Sequence, residues 1–569
     1  MRPLLDLRVL FLQRLRPSEW QRTLVWAAVI GALGALATIA FRESLFTIER
    51  VVYRREGGLV HIAASLPWGV RLFVPAIGGV IAGLVLAWAR RTHSRGDAGD
   101  YMEAIALGAG DLGVRPSLLR ALSSAATVST GGAIGREGPM VQLAALAGSL
   151  MGRWRNAPVP RRRLMVACGA AAGIATAYNA PIAGALFVAE IVLQSLAIES
   201  LGPLIVASVT AHVTMSELVG AAPVYHMPTF TLPDGGLTLV FAALGLIAGL
   251  GAPLYLWVLD QSHALFKRWD APLAVKLGTG GLLVGALSIG TPDVWGNGYS
   301  VVDSILQGTW TWNALVFVLL FKLAAVAATT GSGAVGGIFT PTLFMGSVAG
   351  ALFAQGAEWL LPGSLPAPAA TAIGMGAFLA ACTHAPLMSV LMIFEMTENY
   401  GVVVPLMLAC VLGYYVSRVL RPTSIYAKSQ RSKAAHAPPL VMARDLLRSD
   451  MPIVRPGQSV KQLEETFVRW RRPHVYVLGE RNQFLGAVAV HDLAPLLKSD
   501  HDPAEPWPPG LLRSGYPSVQ DTTPLWQVLE TFAQHPGERL PVLGDDGRLL
   551  GYVTKTDLVL MLGERLAIG

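Results

Sequence analysis

Arg136 and Glu137 stand side by side among glycines in TGGAIGREGPMV, residues 130–141, with long apolar sequence on both sides. Charged groups are costly to bury, so an acid and a base kept in such a segment indicate a function. Glu137 can be charged or neutral, which makes it a candidate for a group that responds to protons. The simpler alternative is an ion pair between the two side chains, but neighbours at a helix start point in different directions and pair poorly.

The composition indicates a membrane protein, because 53% of the 569 residues are hydrophobic and 14% are charged, against about a quarter charged in soluble domains. Residues 24–41 and 235–259 carry no charge, and about 20 apolar residues span a bilayer as a helix. Arg14, Arg16 and Arg22 favour a cytoplasmic amino-terminal segment, residues 1–20. The net charge of +7 therefore reflects topology, and no nucleic-acid partner is expected. The three cysteines lack metal-ligand spacing, so no metal site is expected.

An internal repeat links the two halves of the membrane sequence. Residues 168–190 and 373–395 align at a constant offset of 205, which pairs Gly169 with Gly374, Ala180 with Ala385, Pro181 with Pro386 and Glu190 with Glu395. Upstream, GREGP at 135–139 corresponds to GIFTP at 337–341. Interrupted helices at matching positions of two halves indicate an inverted-repeat transporter with its site near the membrane midplane. Small residues alone would only allow close helix packing, which does not explain two proline-broken segments in the same order.

Each Gly-x-x-x-Pro segment is expected to leave a helix amino terminus inside the membrane, with unpaired N–H groups and a positive dipole end. Such ends bind anions. Two ends that face each other can replace the hydration shell of a small anion without a full positive charge that would trap it. The sequence therefore predicts an anion site made by the main chain of the two segments.

A polar, basic stretch, AKSQRSKAAHAPP, predicts a linker at residues 427–440. The membrane domain is expected over residues 21–426, with one repeat at 21–220 and the second at 235–426. Beyond the linker, residues 477–493 and 542–558 repeat at an offset of 65. Each copy is predicted to form helix, strand, turn, strand and helix. These soluble copies are expected at residues 441–500 and 508–569.

In this order, GREGP, GGIFTP and the tyrosine of SIYAK resemble the CLC family of chloride channels and proton-coupled chloride transporters. DYMEA, IGREG and WGNGYS further resemble its bacterial ClcB-like branch. The resemblance implies an all-α polytopic membrane protein of two inverted-topology repeats, the CLC fold, followed by a soluble α/β tandem CBS module. It also implies chloride and similar small anions as cargo. The expected setting is a lipid-embedded homodimer in the bacterial inner membrane, with the N- and C-termini cytoplasmic.

The same resemblance identifies Glu137 as a gating glutamate, whose carboxylate competes with chloride for the same N–H groups. An ionised carboxylate occupies the anion site, whereas protonation lets it swing away, so that passage depends on pH. The anion ligands implied are main-chain groups of the two glycine segments, one hydroxyl and one position near residue 100. They are Gly135, Arg136, Gly138, Gly337, Ile338, Phe339, Tyr426 and Ala98. For Tyr426 the alternative is an aromatic residue of the membrane surface.

Two positions depart from the family pattern. Ala98 stands where the family's serine hydroxyl would meet the ion, so one anion ligand is missing. Ile191 stands where coupled transporters have an inner proton-transfer glutamate, and isoleucine carries no proton. Glu190 and its repeat partner Glu395 are expected to cap or brace helices. Either chloride passes passively, or protons reach Glu137 by another route.

The two soluble copies resemble tandem CBS domains. Thr554 and Asp557 of TKTD look like the residues that hold an adenosine ribose and phosphate, so an adenine nucleotide is the candidate ligand. The first copy has Ala489 and Asp492 and lacks the hydroxyl. The alternative is a structural module without a ligand, and no cofactor is required for transport.

Three other functions fit the sequence less well. A divalent-cation transporter would need several carboxylates that converge on the metal, and acids are few in the apolar region. A fluoride exporter of the same superfamily usually lacks Arg-Glu-Gly-Pro in this form. An enzyme is not expected, because the apolar region offers no nucleophile with a base and no His or Cys metal set.

Overall fold

The computed structural model of this chain describes residues 19–55, 58–91, 99–106, 108–220, 223–228, 236–308, 310–359, 365–427, 442–497, 502–523, 525–535 and 537–558. The chain forms two compact units that divide between Ala435 and His436. Most of the predicted amino-terminal segment, nearly all of the predicted linker and the end of the second CBS copy lie outside the described residues. The domain boundaries given above therefore stay predictions.

The described part of the first unit is helical, as the composition predicts. Its first half contains α1 (Glu19–Tyr53), α2 (Leu59–Ser65), α3 (Trp68–Arg91), α4 (Tyr101–Ala106), α5 (Val114–Ser129), α6 (Glu137–Trp154), α7 (Val159–Tyr178), α8 (Pro181–Phe187) with a π-helical extension (Val188–Leu193), and α9 (Ile198–Val219). Its second half contains α10 (Gly236–Arg268), α11 (Leu273–Gly290), α12 (Tyr299–Leu306), α13 (Trp312–Gly331), α14 (Phe339–Glu358), α15 (Ala367–Thr383), α16 (Pro386–Thr397) and α17 (Val403–Leu420).

Seven of the described helices are long and apolar enough to cross a membrane. They are α1, α3, α9, α10, α11, α13 and α17. Helices rich in glycine and alanine are buried within the unit. In α15, which is not one of the seven, every residue from 369 to 383 is buried. Small side chains allow such close helix packing within a bilayer. The prediction of a multi-pass membrane protein is thus confirmed.

The repeat appears in the structure as two helix breaks of the same geometry. Asn179 and Ala180 separate α7 from α8, with φ/ψ of 53°/37° and −131°/81°. His384 and Ala385 separate α15 from α16, with φ/ψ of 59°/34° and −128°/77°. In both copies the left-handed residue ends one helix and a proline begins the next. The offset of 205 therefore relates conformations as well as residue types.

The second unit contains two copies of one small α/β motif. The first copy is β1 (Ile453–Val454), α18 (Val460–Trp470), β2 (His474–Leu478), β3 (Phe484–Ala489) and α19 (Val490–Leu497). The second is β4 (Val519–Gln520), α20 (Leu525–Gln534), β5 (Arg539–Leu543) and β6 (Leu549–Thr554). The predicted helices and strands are present, except that the last helix of the second copy is described only over residues 555–558. Each copy also begins with a two-residue strand that the sequence pattern does not predict.

The two sheets have the same topology. In each, a short first strand pairs in parallel with the second strand, which pairs antiparallel with the third. The register shifts between Val477 and Leu478 in one sheet and between Val542 and Leu543 in the other, again 65 residues apart. The α/β architecture predicted for the C-terminal part is therefore confirmed.

Candidate anion site

The two glycine segments meet within the membrane unit. The N–H of Gly135 donates to the carbonyl of Gly337 and the N–H of Gly337 donates to the carbonyl of Gly135, each at 2.8 Å. The pair forms an isolated antiparallel bridge, the arrangement expected of two loops related by a two-fold axis. Because each of these two N–H groups donates to the carbonyl of the other glycine, they brace the segments in this structure and do not point to an anion.

Two helices start immediately beyond this bridge. Arg136, with φ/ψ of −79°/−9°, precedes α6, and Ile338, with φ/ψ of −94°/−7°, precedes α14. Neither start has a side-chain cap. The first N–H groups of a helix have no acceptor within the helix, and the dipole is positive there. Both starts can therefore donate to an anion.

A cavity of about 800 Å³ lies beside these helix starts. The predicted gate, Glu137, contributes to its wall, and so do five of the eight predicted anion ligands: Gly138, Gly337, Ile338, Phe339 and Tyr426. Gly135 and Arg136 do not line it. Residues that the sequence did not single out also line it, among them Tyr178 and Phe187. Ala98 lies outside the described residues.

Aromatic side chains narrow the cavity near the helix starts. The ring of Phe187 lies 5.5 Å from that of Tyr426 and 6.1 Å from that of Phe339, and the rings of Tyr178 and Phe339 are 4.8 Å apart. Phe187, Tyr178 and Phe339 are almost fully buried. This packing fixes the backbone at Ile338 and Phe339, whose N–H groups are the predicted anion donors.

The side chain of Glu137 is buried, with 3% of its surface exposed. Its Oε1 accepts a hydrogen bond of 3.1 Å from the hydroxyl of Tyr299. No described residue donates to its Oε2, which lies so close to the Cα of Gly135 that a Cβ built there would be 2.0 Å away. The carboxylate thus folds back over the glycine segment, where it occupies space next to the helix start.

The side chain of Arg136 points away from this cavity. Its guanidinium lies 5.6 Å from the ring of Phe46 and 5.9 Å from the ring of Tyr299, and it lines a separate cavity of about 350 Å³. Within the described residues no ion pair joins Arg136 to Glu137. The simpler interpretation of the two charges as an ion pair therefore does not describe this structure.

Glu190 and Glu395 cap helices of opposite repeats. The carboxylate of Glu190 accepts from the N–H groups of Leu387 and Met388, at 3.4 and 2.8 Å, at the start of α16. The carboxylate of Glu395 accepts from those of Ile182 and Ala183, at 2.9 and 2.7 Å, at the start of α8. The prediction that both residues cap helices is confirmed. Ile191 is buried beside this pair, in the π-helical extension of α8.

Thr554 and Asp557, which the sequence predicts to bind a nucleotide, lie in the second unit, and Asp557 pairs with an arginine from outside its own copy. Asp557 accepts from Thr554 at 2.7 Å and forms a bidentate pair with Arg448, at 2.5 and 2.8 Å. Asp492 of the first copy forms the same pair with Arg513, at 2.8 and 3.0 Å. Both carboxylates are therefore engaged by arginines of this chain.

These pairs keep both carboxylates ionised. The hydrogen bonds from Arg513 lower the pKa of Asp492 below its usual range. Burial acts to raise the pKa of Asp557, but the hydrogen bonds from Arg448 and Thr554 outweigh it, and the pKa is lowered. An adenosine ribose would have to compete with a charge-assisted pair at either position.

Comparison with known proteins gives matches for both units. Residues 77–418 match the family model described as voltage gated chloride channel, and residues 511–564 match the CBS domain model. A putative chloride channel protein, ClcB-like, from Ralstonia nicotianae is 52% identical over 408 residues, which cover 71% of this chain and 95% of the relative. The X-ray crystal structure of a slow cyanobacterial Cl⁻/H⁺ antiporter is similar with a TM-score of 0.65 and 24% identity, covering 73% of this chain and 99% of that chain. The crystal structure of a eukaryotic CLC transporter is similar with a TM-score of 0.63 and 18% identity, covering 94% and 98%.

Proposed function

Because this chain belongs to the voltage gated chloride channel family, we propose that its membrane unit carries chloride across the bilayer, with Glu137 as the gate. The observation that carries the proposal is the meeting of two uncapped helix starts at the Gly135–Gly337 bridge, beside a cavity that Glu137 also lines. Helix starts hold an anion through N–H groups and dipoles without a full charge, so the ion can also leave.

The gate works by competition between a carboxylate and the anion. When Glu137 is ionised, its side chain lies against Gly135 and next to the start of α6, where it repels chloride. Protonation removes the charge, so the side chain loses its preference for the positive helix start and can leave the path. Chloride passage should therefore increase as pH falls.

Chloride passage that is passive, or only weakly coupled to protons, agrees best with Glu190 and Ile191. Ile191 cannot relay a proton, and the carboxylate of Glu190 is occupied by two N–H groups of α16. The structures of similar fold include a Cl⁻/H⁺ antiporter, so tight coupling is the alternative to test. In that case protons must reach Glu137 by water or by other side chains.

Chloride efflux from liposomes, with the internal pH recorded at the same time, tests both parts of the proposal. Wild-type efflux should rise as pH falls, while Glu137→Ala should give high efflux that no longer depends on pH. If the substitution changes neither the rate nor its pH dependence, Glu137 is not the gate. Proton movement against its gradient, driven by chloride, would show that passage is coupled and would contradict the passive reading.

The family also suggests the setting of the protein. We place it in the bacterial inner membrane, with both termini cytoplasmic, because Arg14 and Arg16 precede the first spanning helix and Arg22 lies in its first turn. We propose a homodimer with one pathway per subunit. Exposed Ile182 and Leu387, which the repeat offset relates, are available for such a contact. Light scattering of the detergent-solubilised protein should give the mass of two chains, and the mass of one chain would contradict the dimer.

A further inference from the structure

The hydroxyl of Tyr299 is the one group among the described residues that donates a hydrogen bond to the carboxylate of Glu137. The contact is 3.1 Å long and involves Oε1, while Oε2 receives no donor from the described residues. Tyr299 belongs to WGNGYS, residues 295–300, a segment to which the sequence assigned no role. A donor in this place acts directly on the group that closes the pathway.

Tyr299 is held firmly by its neighbours. It is the first residue of α12 and follows Gly298, whose φ of 91° turns the chain into the helix. Its ring lies 5.7 Å from the ring of Tyr225 and 5.9 Å from the guanidinium of Arg136. The hydroxyl therefore has little freedom to leave Glu137.

The loop before Tyr299 is anchored by a buried lysine. Lys322 of α13 is fully buried, and its ammonium donates to the carbonyls of Val294 and Gly296, at 3.0 and 2.9 Å. The ammonium also lies 5.1 Å from the centre of the Phe344 ring. A buried polar cation needs such partners, and here they fix the segment that carries Tyr299.

We propose that Tyr299 is a positioning residue that holds the ionised carboxylate of Glu137 in its closed place and so sets the pH at which chloride passes. The inference rests on the proposed function, since it needs Glu137 to be the gate. A hydrogen bond donated to a carboxylate favours its charged form. Tyr299 therefore makes the gate harder to protonate and keeps it closed to lower pH.

Other titratable or charged groups near Glu137 can also affect its protonation, so their effects have to be distinguished from that of Tyr299. They come from α7, from the segment after α9, from the segment after α17 and from the residue before Glu137: Tyr178, Tyr225, Tyr426 and Arg136. The hydroxyl of Tyr178 lies 3.3 Å from Thr340. The hydroxyl of Tyr225 has no partner among the described residues. Tyr225 is thus a matched control, because it is buried against Tyr299 but donates nothing to Glu137.

The test is the pH profile of chloride efflux from liposomes for Tyr299→Phe and Tyr225→Phe. Phenylalanine keeps the ring and removes only the hydroxyl. For Tyr299→Phe the pH of half-maximal efflux should rise by about one unit, the size expected when a charged group loses one hydrogen bond. Tyr225→Phe should keep the wild-type midpoint. An unchanged midpoint for Tyr299→Phe, or an equal shift for Tyr225→Phe, would overturn the inference.

Combining the substitution with Glu137→Ala separates this inference from the proposed function. If Glu137 is the gate, Glu137→Ala removes the pH dependence, and adding Tyr299→Phe should change nothing further. A remaining pH shift from Tyr299→Phe in that background would show that the hydroxyl acts elsewhere and would contradict the inference alone. A wild-type pH profile for Glu137→Ala would instead overturn the proposed function, and the inference with it.

Discussion

Gly135 and Gly337 are 202 positions apart in the chain and exchange two backbone hydrogen bonds of 2.8 Å. Each of these glycines lies two positions before a helix, Gly135 before α6 and Gly337 before α14. The bridge therefore sets the distance between the two helix starts, whatever their side chains do. An anion site built in this way depends on the positions of main-chain N–H groups. A side chain affects the site where it occupies the space beside those groups.

Substitution of Gly135 tests whether the carboxylate needs the space over the bridge. A Cβ at this position would lie 2.0 Å from Oε2 of Glu137 and 2.9 Å from the carbonyl of Gly337. In Gly135→Ala the carboxylate must move out, so chloride efflux at neutral pH should rise severalfold and depend less on pH. The crowding should also cost about 1–3 kcal/mol of stability. Efflux with wild-type rate and pH dependence would contradict this.

Gly69→Ala is the matched control for that substitution. A Cβ on Gly69, in the first turn of α3, would meet nothing within 4 Å. This variant should keep the wild-type efflux, its pH profile and the temperature of unfolding. If both alanine variants change efflux equally, the effect of Gly135→Ala does not come from the Glu137 carboxylate.

The repeat made the helix breaks predictable, because Ala-Pro restricts the chain in the same way wherever it occurs. It also paired Glu190 with Glu395, which sit at equal distances beyond the breaks and were expected to cap or brace helices. The structure adds that each caps a helix of the opposite repeat. The contact of Tyr299 with Glu137 could not be found in this way, since 162 positions separate the two and the repeat pairs neither with the other.

The direction of the Arg136 side chain could not be predicted from the sequence either, because the residue type does not determine which cavity a guanidinium faces. In the second unit, β1 and β4 have two residues each, too few for a strand periodicity. A longer alignment of the soluble repeat would have revealed Arg448 and Arg513, which are 65 positions apart like Asp492 and Asp557.

We expect that removal of either helix cap, Glu190 or Glu395, lowers the stability of the protein but leaves the gating of chloride unchanged. Glu190→Ala and Glu395→Ala each remove an acceptor for two N–H groups at a helix start. Each should lower the free energy of unfolding by about 2 kcal/mol and lower the unfolding temperature measured in detergent. The pH profile of chloride efflux should stay that of the wild type. Glu217→Ala, at an exposed carboxylate of α9, should leave the unfolding temperature unchanged.

The opposite result for Glu190 would identify it as a proton relay. In that case Glu190→Gln, which retains an oxygen acceptor, would abolish chloride-driven proton movement while the unfolding temperature stayed near that of the wild type. This outcome would contradict the assignment of Glu190 as a purely structural cap.

We propose that an adenine nucleotide can bind the second CBS copy only when Arg448 releases Asp557. The bidentate pair occupies the carboxylate that would hold a ribose. Arg448→Ala should therefore bind AMP or ATP at least about tenfold more tightly than the wild type, as the loss of a competing charge-assisted pair predicts. Isothermal titration of the full-length protein in detergent measures this. Equal affinities for wild type and variant would contradict the competition.

Arg513→Ala is the matched control for nucleotide binding. It frees Asp492 in the same geometry, but Ala489 provides no hydroxyl in that copy. The variant should gain no affinity for AMP or ATP. A gain as large as that of Arg448→Ala would show that the hydroxyl of Thr554 is not needed.

We expect two histidines, His474 and His535, to make the second unit sensitive to acid. The rings of His474 and His535 lie 5.2 and 5.1 Å from the ring of Tyr516, and Nε2 of His535 lies 3.2 Å from its hydroxyl. Burial lowers the pKa of His474 below 6.5, helped by the charges of His535 and Arg513. Burial also lowers the pKa of His535, helped by Lys555.

Since both pKa values are lowered on folding, the unfolded chain binds protons more readily than the folded unit at pH values just below 6.5. The stability contributed by the neutral rings is present above pH 6.5 and is lost as pH falls through that value towards the lowered folded pKa.

Amide hydrogen exchange of β2 and β5 in the full-length protein, corrected for the intrinsic pH effect, should therefore accelerate between pH 7 and pH 5. The double variant His474→Gln, His535→Gln should remove most of this acceleration. His491→Gln should change it less, because 65% of the His491 side chain is exposed. Acid acceleration of the same size in all three proteins would assign the sensitivity to other groups.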